Sequence, residues 1–256
     1  SALSNCATAT AQWTNVIPTI SAIIKPADST WVADRQFCVT VNDAGGGNVY
    51  ATFVINSVVN VGSTVASGSN SCYTHTADLN SVTWYAFATD ANGGNSTNTS
   101  NRTAKVDTTA PVLPTMTPEP TYTAGTTNTV SSSVATDAGI GTVEYNFCKN
   151  STNSTSGCTQ SGWQSGTSYQ FINLTGGQTY YYFVQVRDGL TNTSSWTGAE
   201  SSTQDTTAPT FIVTDDASVT SVLSDTITVT VADTGGSGPG VTTYYGISTN
   251  NVCDSN

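Results

Sequence analysis

Leu174 to Asp188 reads LTGGQTYYYFVQVRD. Past the glycine pair, Tyr180, Tyr182, Val184 and Val186 fall two residues apart, with Tyr181, Phe183, Gln185 and Arg187 between them. A period of two with a continuous apolar side is the signature of a strand that buries one face in a sheet, since a helix would repeat near 3.6. The run stops at Asp188, and 17 residues later Asp205 stands in Gln204 to Pro209, QDTTAP. The same arrangement occurs 98 residues upstream. There an aromatic-rich run, VTWYAFATD, ends at Asp90, and 17 residues later Asp107 stands in Val106 to Pro111, VDTTAP.

A third landmark follows each proline. Asp137 comes 26 residues after Pro111, Asp233 comes 24 after Pro209, and Asp43 comes 25 after Pro18. Matched landmarks at matched spacings define an internal repeat, which must be recognised before any strand is assigned. The repeat divides the chain into an extended segment at 1–14 that resembles a last strand, a first domain at 15–106, a second at 107–204 and a partial third at 205–256. At the first hinge, WTNVIP, Asn15 occupies the place of the linker aspartate.

Other runs alternate in the same way. In the first repeat these are Phe37/Val39/Val41, Val49/Ala51/Phe53/Ile55 and Val82/Trp84/Ala86/Ala88; in the second, Val143/Tyr145/Phe147; in the third, Ile227/Val229/Val231. Clusters of Gly, Asn and Asp separate them as turns, and no helical periodicity is sustained. The expected fold is all-β, a tandem of immunoglobulin-like or fibronectin type III-like β-sandwiches with the last one incomplete.

On its residues, the second repeat resembles a fibronectin type III domain. That family places a Leu six residues before a Tyr at its penultimate strand, and Leu174 and Tyr180 have this spacing. The resemblance implies a tyrosine corner in which the Tyr180 hydroxyl bonds back to the main chain. The continuation GLTNTSSWTGAESSTQDTTAP is similar to the last strand and exit linker of repeats in prokaryotic surface proteins, and ATDANGGNST in the first repeat resembles the same region, although Val82 falls where Tyr180 would.

Charged residues make up 9% of the chain, and 6 Lys+Arg against 17 Asp+Glu give a net charge of -11. Phosphate binding needs clustered cations, so nucleic acid and anionic membrane are excluded as partners. No apolar run has the length of a membrane span. The chain starts at Ser1 as an exported mature protein or an excised fragment would. Six cysteines without a CxxC pair, and a single histidine, argue for disulfides in an oxidising, extracellular or cell-surface setting rather than for zinc. Cys148 with Cys158, and Cys38 with Cys72, are the expected pairs, with Cys6 a competitor for Cys38. Cys6 and Cys253 are then left at the two ends as candidates for bridging successive units.

The third repeat holds material for three strands, and residues 1–14 look like the end of a preceding unit. A window cut from a longer array explains both, and so does head-to-tail assembly in which subunits lend strands to one another. The expected partners are accordingly neighbouring repeats or further copies of the chain. Catalysis is not expected: His75 lies in CYTHTADL without any nucleophile elbow, metalloprotease or phosphate-loop motif, and reads as a solvent-facing strand residue.

The recurring aspartates are the candidate site. In a sandwich, the linker and two of the loops meet at one end, which brings Asp107, Asp137 and Asp188 together in one repeat and Asp205, Asp233 and Asp215 or Asp216 in the next, with Asp43 and Asp90 in the first. Clustered carboxylates suit Ca²⁺, which takes six to eight oxygens. The competing reading is that Asp is a favoured turn residue that satisfies its own backbone. Seven N-x-S/T sequons, at Asn95, Asn98, Asn101, Asn150, Asn153, Asn173 and Asn192, are candidates for N-glycosylation, at about the frequency that chance provides. Tyr181 and Phe183, pointing away from the core, and the single Trp163 and Trp196 are candidates for stacking on a surface glycan, and cover by a second packed sheet or a neighbouring domain explains the first two as well.

Overall fold

The computed structural model describes residues 14–215, 227–233 and 236–238. Cys6, Cys253, Asp216 and the first 13 residues lie outside them, as does the Asp215 side chain. The described residues are all-β, with no helix among them. They form two compact units. Unit 1 comprises 14–111 with Thr136–Thr142 and Arg187–Thr193, and unit 2 comprises Val112–Ala135, Val143–Val186 and the described residues from Ser194 onward. The linker at 107–111 therefore packs with unit 1, and two short segments from the second repeat do the same.

Unit 1 carries β1 (Thr19–Lys25), β2 (Trp31–Val32), β3 (Gln36–Asn42), β4 (Asn48–Ile55), β5 (Val58–Val61), β6 (Val65–Ala66), β7 (Ser69–Thr74), β8 (Leu79–Asp90) and β9 (Arg102–Val106). One sheet has the order β1-β3-β7, and the other has the order β2-β9-β8-β4-β5 with β6 also on β4. All pairs are antiparallel except β2 with β9. The alternation read from the sequence is the burial pattern: Phe37, Val39, Val41, Val49, Ala51, Phe53, Ile55, Trp84, Ala86 and Ala88 form one core between the sheets. Trp84 is fully buried and meets Phe37 edge-on, with ring centroids 5.1 Å apart. Cys38 and Cys72 face each other on β3 and β7 and are bonded.

The sheets of unit 2 are built from β10 (Tyr122–Ala124), β11 (Asn128–Ser131), β12 (Val143–Asn150), β13 (Thr159–Gln160), β14 (Ser168–Phe171), β15 (Thr179–Asp188) and β16 (Glu200–Asp205), followed by β17 (Thr210–Asp215) and β18 (Ile227–Ala232). Their orders are β10-β16-β15-β12-β13 and β11-β14, with β17 and β18 paired separately. The short strand β10 runs parallel to β16, as β2 does to β9. The larger sheets of the two units thus share one strand order, despite the missing Leu-to-Tyr spacing in the first, while the smaller sheet has three strands in unit 1 and two in unit 2. Phe147, Tyr182, Val184, Val186, Val130 and Leu174 centre the second core. The Tyr180 hydroxyl accepts from the Thr175 N–H at 3.1 Å, the tyrosine-corner bond that the fibronectin-like spacing implied. Cys148 and Cys158 are bonded across the β12–β13 turn.

Two expectations about exposed side chains are corrected. Phe183 does point away from the core cluster, but it is 5% exposed and therefore offers no ring for a sugar to stack on. His75 is half-buried rather than solvent-facing. Its ring lies 6.5 Å from that of Phe37, and Nδ1 is 2.8 Å from the Ala77 carbonyl oxygen.

Candidate functional site

The first DTTAP linker leaves β9 at Asp107, whose N–H donates to the Val32 carbonyl at 3.0 Å. Its buried carboxylate faces two ways. Oδ1 accepts from the Thr109 N–H at 3.1 Å, closing a local Asx-type turn, and Oδ2 accepts from the Ile140 N–H at 2.9 Å, 33 residues along the chain. Gly139 makes that approach feasible: a Cβ built on it would lie 2.0 Å from Asp107 Oδ2. Asp137, two residues earlier, accepts from the Gly139 N–H through Oδ1 at 2.6 Å. Asp188 ends β15, and its Oδ1 accepts from the N–H groups of Leu190 and Asn192, both at 2.8 Å. The Asn192 side-chain Nδ2 donates to Asp188 Oδ2 at 2.7 Å and to the Asp107 carbonyl at 3.1 Å.

All of these residues belong to unit 1, where one carboxylate oxygen from each of Asp107, Asp137 and Asp188 lies within 4.8 Å of the others. This convergence is the one the repeat spacing predicted. Among the described residues no other acidic, His or Cys group of three is gathered as closely. At 4.8 Å and an effective dielectric near 20, two carboxylates repel by about 3.5 kcal/mol before any counter-charge acts. The N–H donors offset part of this for Asp107 and Asp188. Asp137 has less help, because its Oδ2 is buried without a hydrogen-bond partner. Burial, followed by the charges of Asp107, Asp188 and Asp78, raises the Asp137 carboxyl above its ordinary range against the pull of the Gly139 N–H.

A fourth aspartate, missed in the sequence, fastens the linker from the other side. Asp78 Oδ1 accepts from Arg35 Nε and from the Thr108 hydroxyl, both at 2.9 Å, and Oδ2 accepts from the Thr109 hydroxyl at 2.6 Å. Burial pushes the Asp78 carboxyl up, but the bonds from Arg35, Thr109 and Thr108 outweigh it and hold the group well below the usual carboxylate range. The repeat spacing gives no sign of this residue, because the residue 98 positions on, in the matching loop between β14 and β15, is Gly176.

The second linker repeats half of the device. Asp205 Oδ1 accepts from the Thr207 N–H at 3.0 Å, and Oδ2 accepts from the N–H and hydroxyl of Ser237 at 2.8 and 2.9 Å. A Cβ on Gly236 would stand 2.5 Å from Asp205 Oδ1, so Gly236-Ser237 plays the part of Gly139-Ile140. Asp233, the counterpart of Asp137, likewise has a buried carboxylate oxygen, Oδ1, with no partner.

At the first hinge the solution differs. Asn15 Nδ2 donates to Asp90 Oδ2 at 2.8 Å, while Asp90 Oδ1 accepts from the N–H groups of Asn92 and Gly94, both at 2.8 Å. The carboxamide supplies a donor where Asp107 supplies another negative charge. Asp43 accepts from the Gly45 N–H at 2.9 Å, as Asp137 does from Gly139.

The structure also sorts the sequons. Asn95, Asn98, Asn101, Asn153 and Asn173 are exposed. Asn150 and Asn192 spend their side-chain N–H groups on hydrogen bonds, Asn150 to the carbonyls of Ser154 and Ser156 and Asn192 to the aspartate cluster. Asn192 therefore acts as part of the cluster, a role its sequon concealed.

No protein-family model and no curated protein matches the chain. Among solved structures, it is similar to the FN1–FN3 domains of chicken CNTN1 at 11% identity and a TM-score of 0.39, over 74% of this chain and 69% of that one. It is also similar to the fibronectin(III)-like modules of CbhA from Clostridium thermocellum, at 12% identity and a TM-score of 0.40, over 72% of this chain and 94% of that one. The assignment to β-sandwiches rests on the shared strand order and the two cores, not on these scores.

Proposed function

We propose that the chain is a non-enzymatic, extracellular structural spacer: a run of tandem Ig-like and fibronectin-like sandwiches within a cell-surface stalk, filament or surface layer of the prokaryotic kind that its DTTAP linkers resemble. The observation that carries this reading is the recurrence, 98 residues apart, of one linker device: a DTTAP aspartate that turns on its own Thr and pins a Gly-led loop of the following repeat. A tether that only joins domains has no need of such a lock, whereas a spacer under load does. Two disulfides support folding in an oxidising compartment. The exposed Phe211, Ile212 and Val213 on β17 support completion of the third repeat by further strands, from the same chain or by donation from a neighbour. Labelling of intact cells that make the protein tests the location: surface labelling is expected, and labelling only after permeabilisation would defeat the proposal. Binding to a glycan array would instead favour an adhesive module.

A calcium ion at Asp107, Asp137 and Asp188 belongs to the same proposal. The donors are all oxygens, and a spread of up to 4.8 Å suits a cation that sits about 2.3–2.6 Å from each. The orphaned oxygens of Asp137 and Asp233, at the same place in successive repeats, support it. The ion would offset the charge of a linker carboxylate that the first hinge avoids by placing the neutral Asn15 there. Melting in calcium and in excess EDTA decides the matter: a lower melting temperature with EDTA is expected, and coincident curves would remove calcium from the account.

A further inference from the structure

The six-stranded sheet of unit 1 ends in β5, and this edge lacks the guards that sheet edges usually carry. Val58-Val59-Asn60-Val61 contains no Lys, no Pro and no charge, and its three valines are 60%, 64% and 61% exposed. The strand follows a two-residue turn at Asn56-Ser57, both residues in the left-handed region with φ of 48° and 65°, as a tight type I′ hairpin requires. That turn fixes the register Ile55↔Val58, Val54↔Val59, Phe53↔Asn60 and Thr52↔Val61. In such a ladder alternate residues turn their backbone groups toward the partner strand, and Gly62 N–H donating to the Ala51 carbonyl at 2.8 Å continues the set formed by 58 and 60. Val59 and Val61 therefore direct their N–H and C=O groups outward. The corresponding edge of the second repeat, β13, is two residues long and lies beside the Cys148–Cys158 bond, so it offers almost no ladder.

We infer that β5 pairs antiparallel with β5 of a second copy of this chain, about a two-fold axis through Asn60. The two-fold sets residue 59 against residue 61 of the other copy twice over, so valine meets valine at both pairs, and the outward backbone groups of both meet in hydrogen bonds. The side chains agree. Val59 and Val61 share the sheet face that Val54, Thr52 and Tyr85 occupy across the ladder, so the pairing joins these uncharged strips from copy to copy. Charge selects a second copy as the occupant: on a chain of net charge -11 most surfaces repel their like, and this edge does not. The contact is lateral, and it stands or falls independently of the spacer reading.

Sedimentation equilibrium of the full chain over a range of concentrations tests it. The weight-average mass is expected to rise from 26.4 kDa toward twice that value. Val61→Lys, which places like charges across the axis, should weaken association at least tenfold. Val134→Lys, at a valine 74% exposed in unit 2, should leave it unchanged. Asn60→Cys should form a disulfide-linked dimer on oxidation, beyond the level of the parent chain, because the axis places the two residues opposite each other. A parent chain that stays monomeric throughout, equal effects of the two lysine variants, or no crosslink at position 60 would each overturn the pairing.

Discussion

Replacing Asp107 by Ala and by Asn separates the two roles of that carboxylate. Either change removes the same negative charge, so relief of repulsion with Asp137 and Asp188 is common to both and cancels in the comparison. Hydrogen bonding is what remains. Alanine leaves the N–H groups of Thr109 and Ile140 without an acceptor at a residue that is 1% exposed. Asparagine keeps one acceptor for these two amides. One retained bond to a buried amide makes Asp107→Asn the more stable variant by about 1–2 kcal/mol. For a unit of this size that corresponds to about 5 °C in its melting transition. Calorimetry of the parent and both variants in EDTA gives the comparison directly. Melting temperatures of the two variants within about 2 °C of each other would refute the reasoning, since the hydrogen bonds would then contribute little to the fold.

Three further outcomes follow from the same geometry. Gly139→Ala and Gly236→Ala drive a Cβ to 2.0 Å and 2.5 Å from a linker carboxylate and should each cost about 1–3 kcal/mol by denaturant titration, whereas Gly141→Ala, with nothing within 4 Å, should be near neutral. The folded Asp137 carboxyl holds its proton more tightly than the unfolded one, so its contribution is present below the ordinary value of 3.8 and is lost as the pH rises through the raised folded value. Asp137→Asn should therefore stabilise the chain at neutral pH in EDTA, and the gain should fade on acidification. Asp78 has the opposite sign: its contribution is present above 3.8 and is lost as the pH falls toward its depressed value, so Asp78→Asn should lower the melting temperature at neutral pH by a margin that closes in acid.

Much of this structure was legible in the sequence because two periodicities coincide. The alternation of Phe37/Val39/Val41 and of Tyr180/Tyr182/Val184/Val186 reports which side of each strand is dry, and both sets are in the cores. The repeat spacing also places Asp107, Asp137 and Asp188 together, since loops at one end of a sandwich must meet. What escaped was set by side-chain partners that no period marks. Asn192 looked like a glycosylation acceptor, yet its amide bridges Asp107 and Asp188. Asp78 lies outside the repeat pattern and clasps the linker through hydroxyls. Phe183 has the right phase to be exposed but is covered, because alternation tells which face a residue occupies and not whether that face is bare. Gly139 and Gly236 were readable in principle, each two or three residues past a landmark aspartate, but their meaning depends on a carboxylate arriving from a distant linker.

Amide hydrogen exchange at Ile140 and Thr109, read by NMR in the parent chain and in Asp107→Ala, tests the linker lock most directly. The account predicts that both amides exchange about 100-fold or more slower than in an unstructured peptide, and that the substitution abolishes this protection while the core amides of β4 and β8 keep theirs. Free exchange at Ile140 in the parent, or protection that survives the loss of the Asp107 carboxylate, would contradict it.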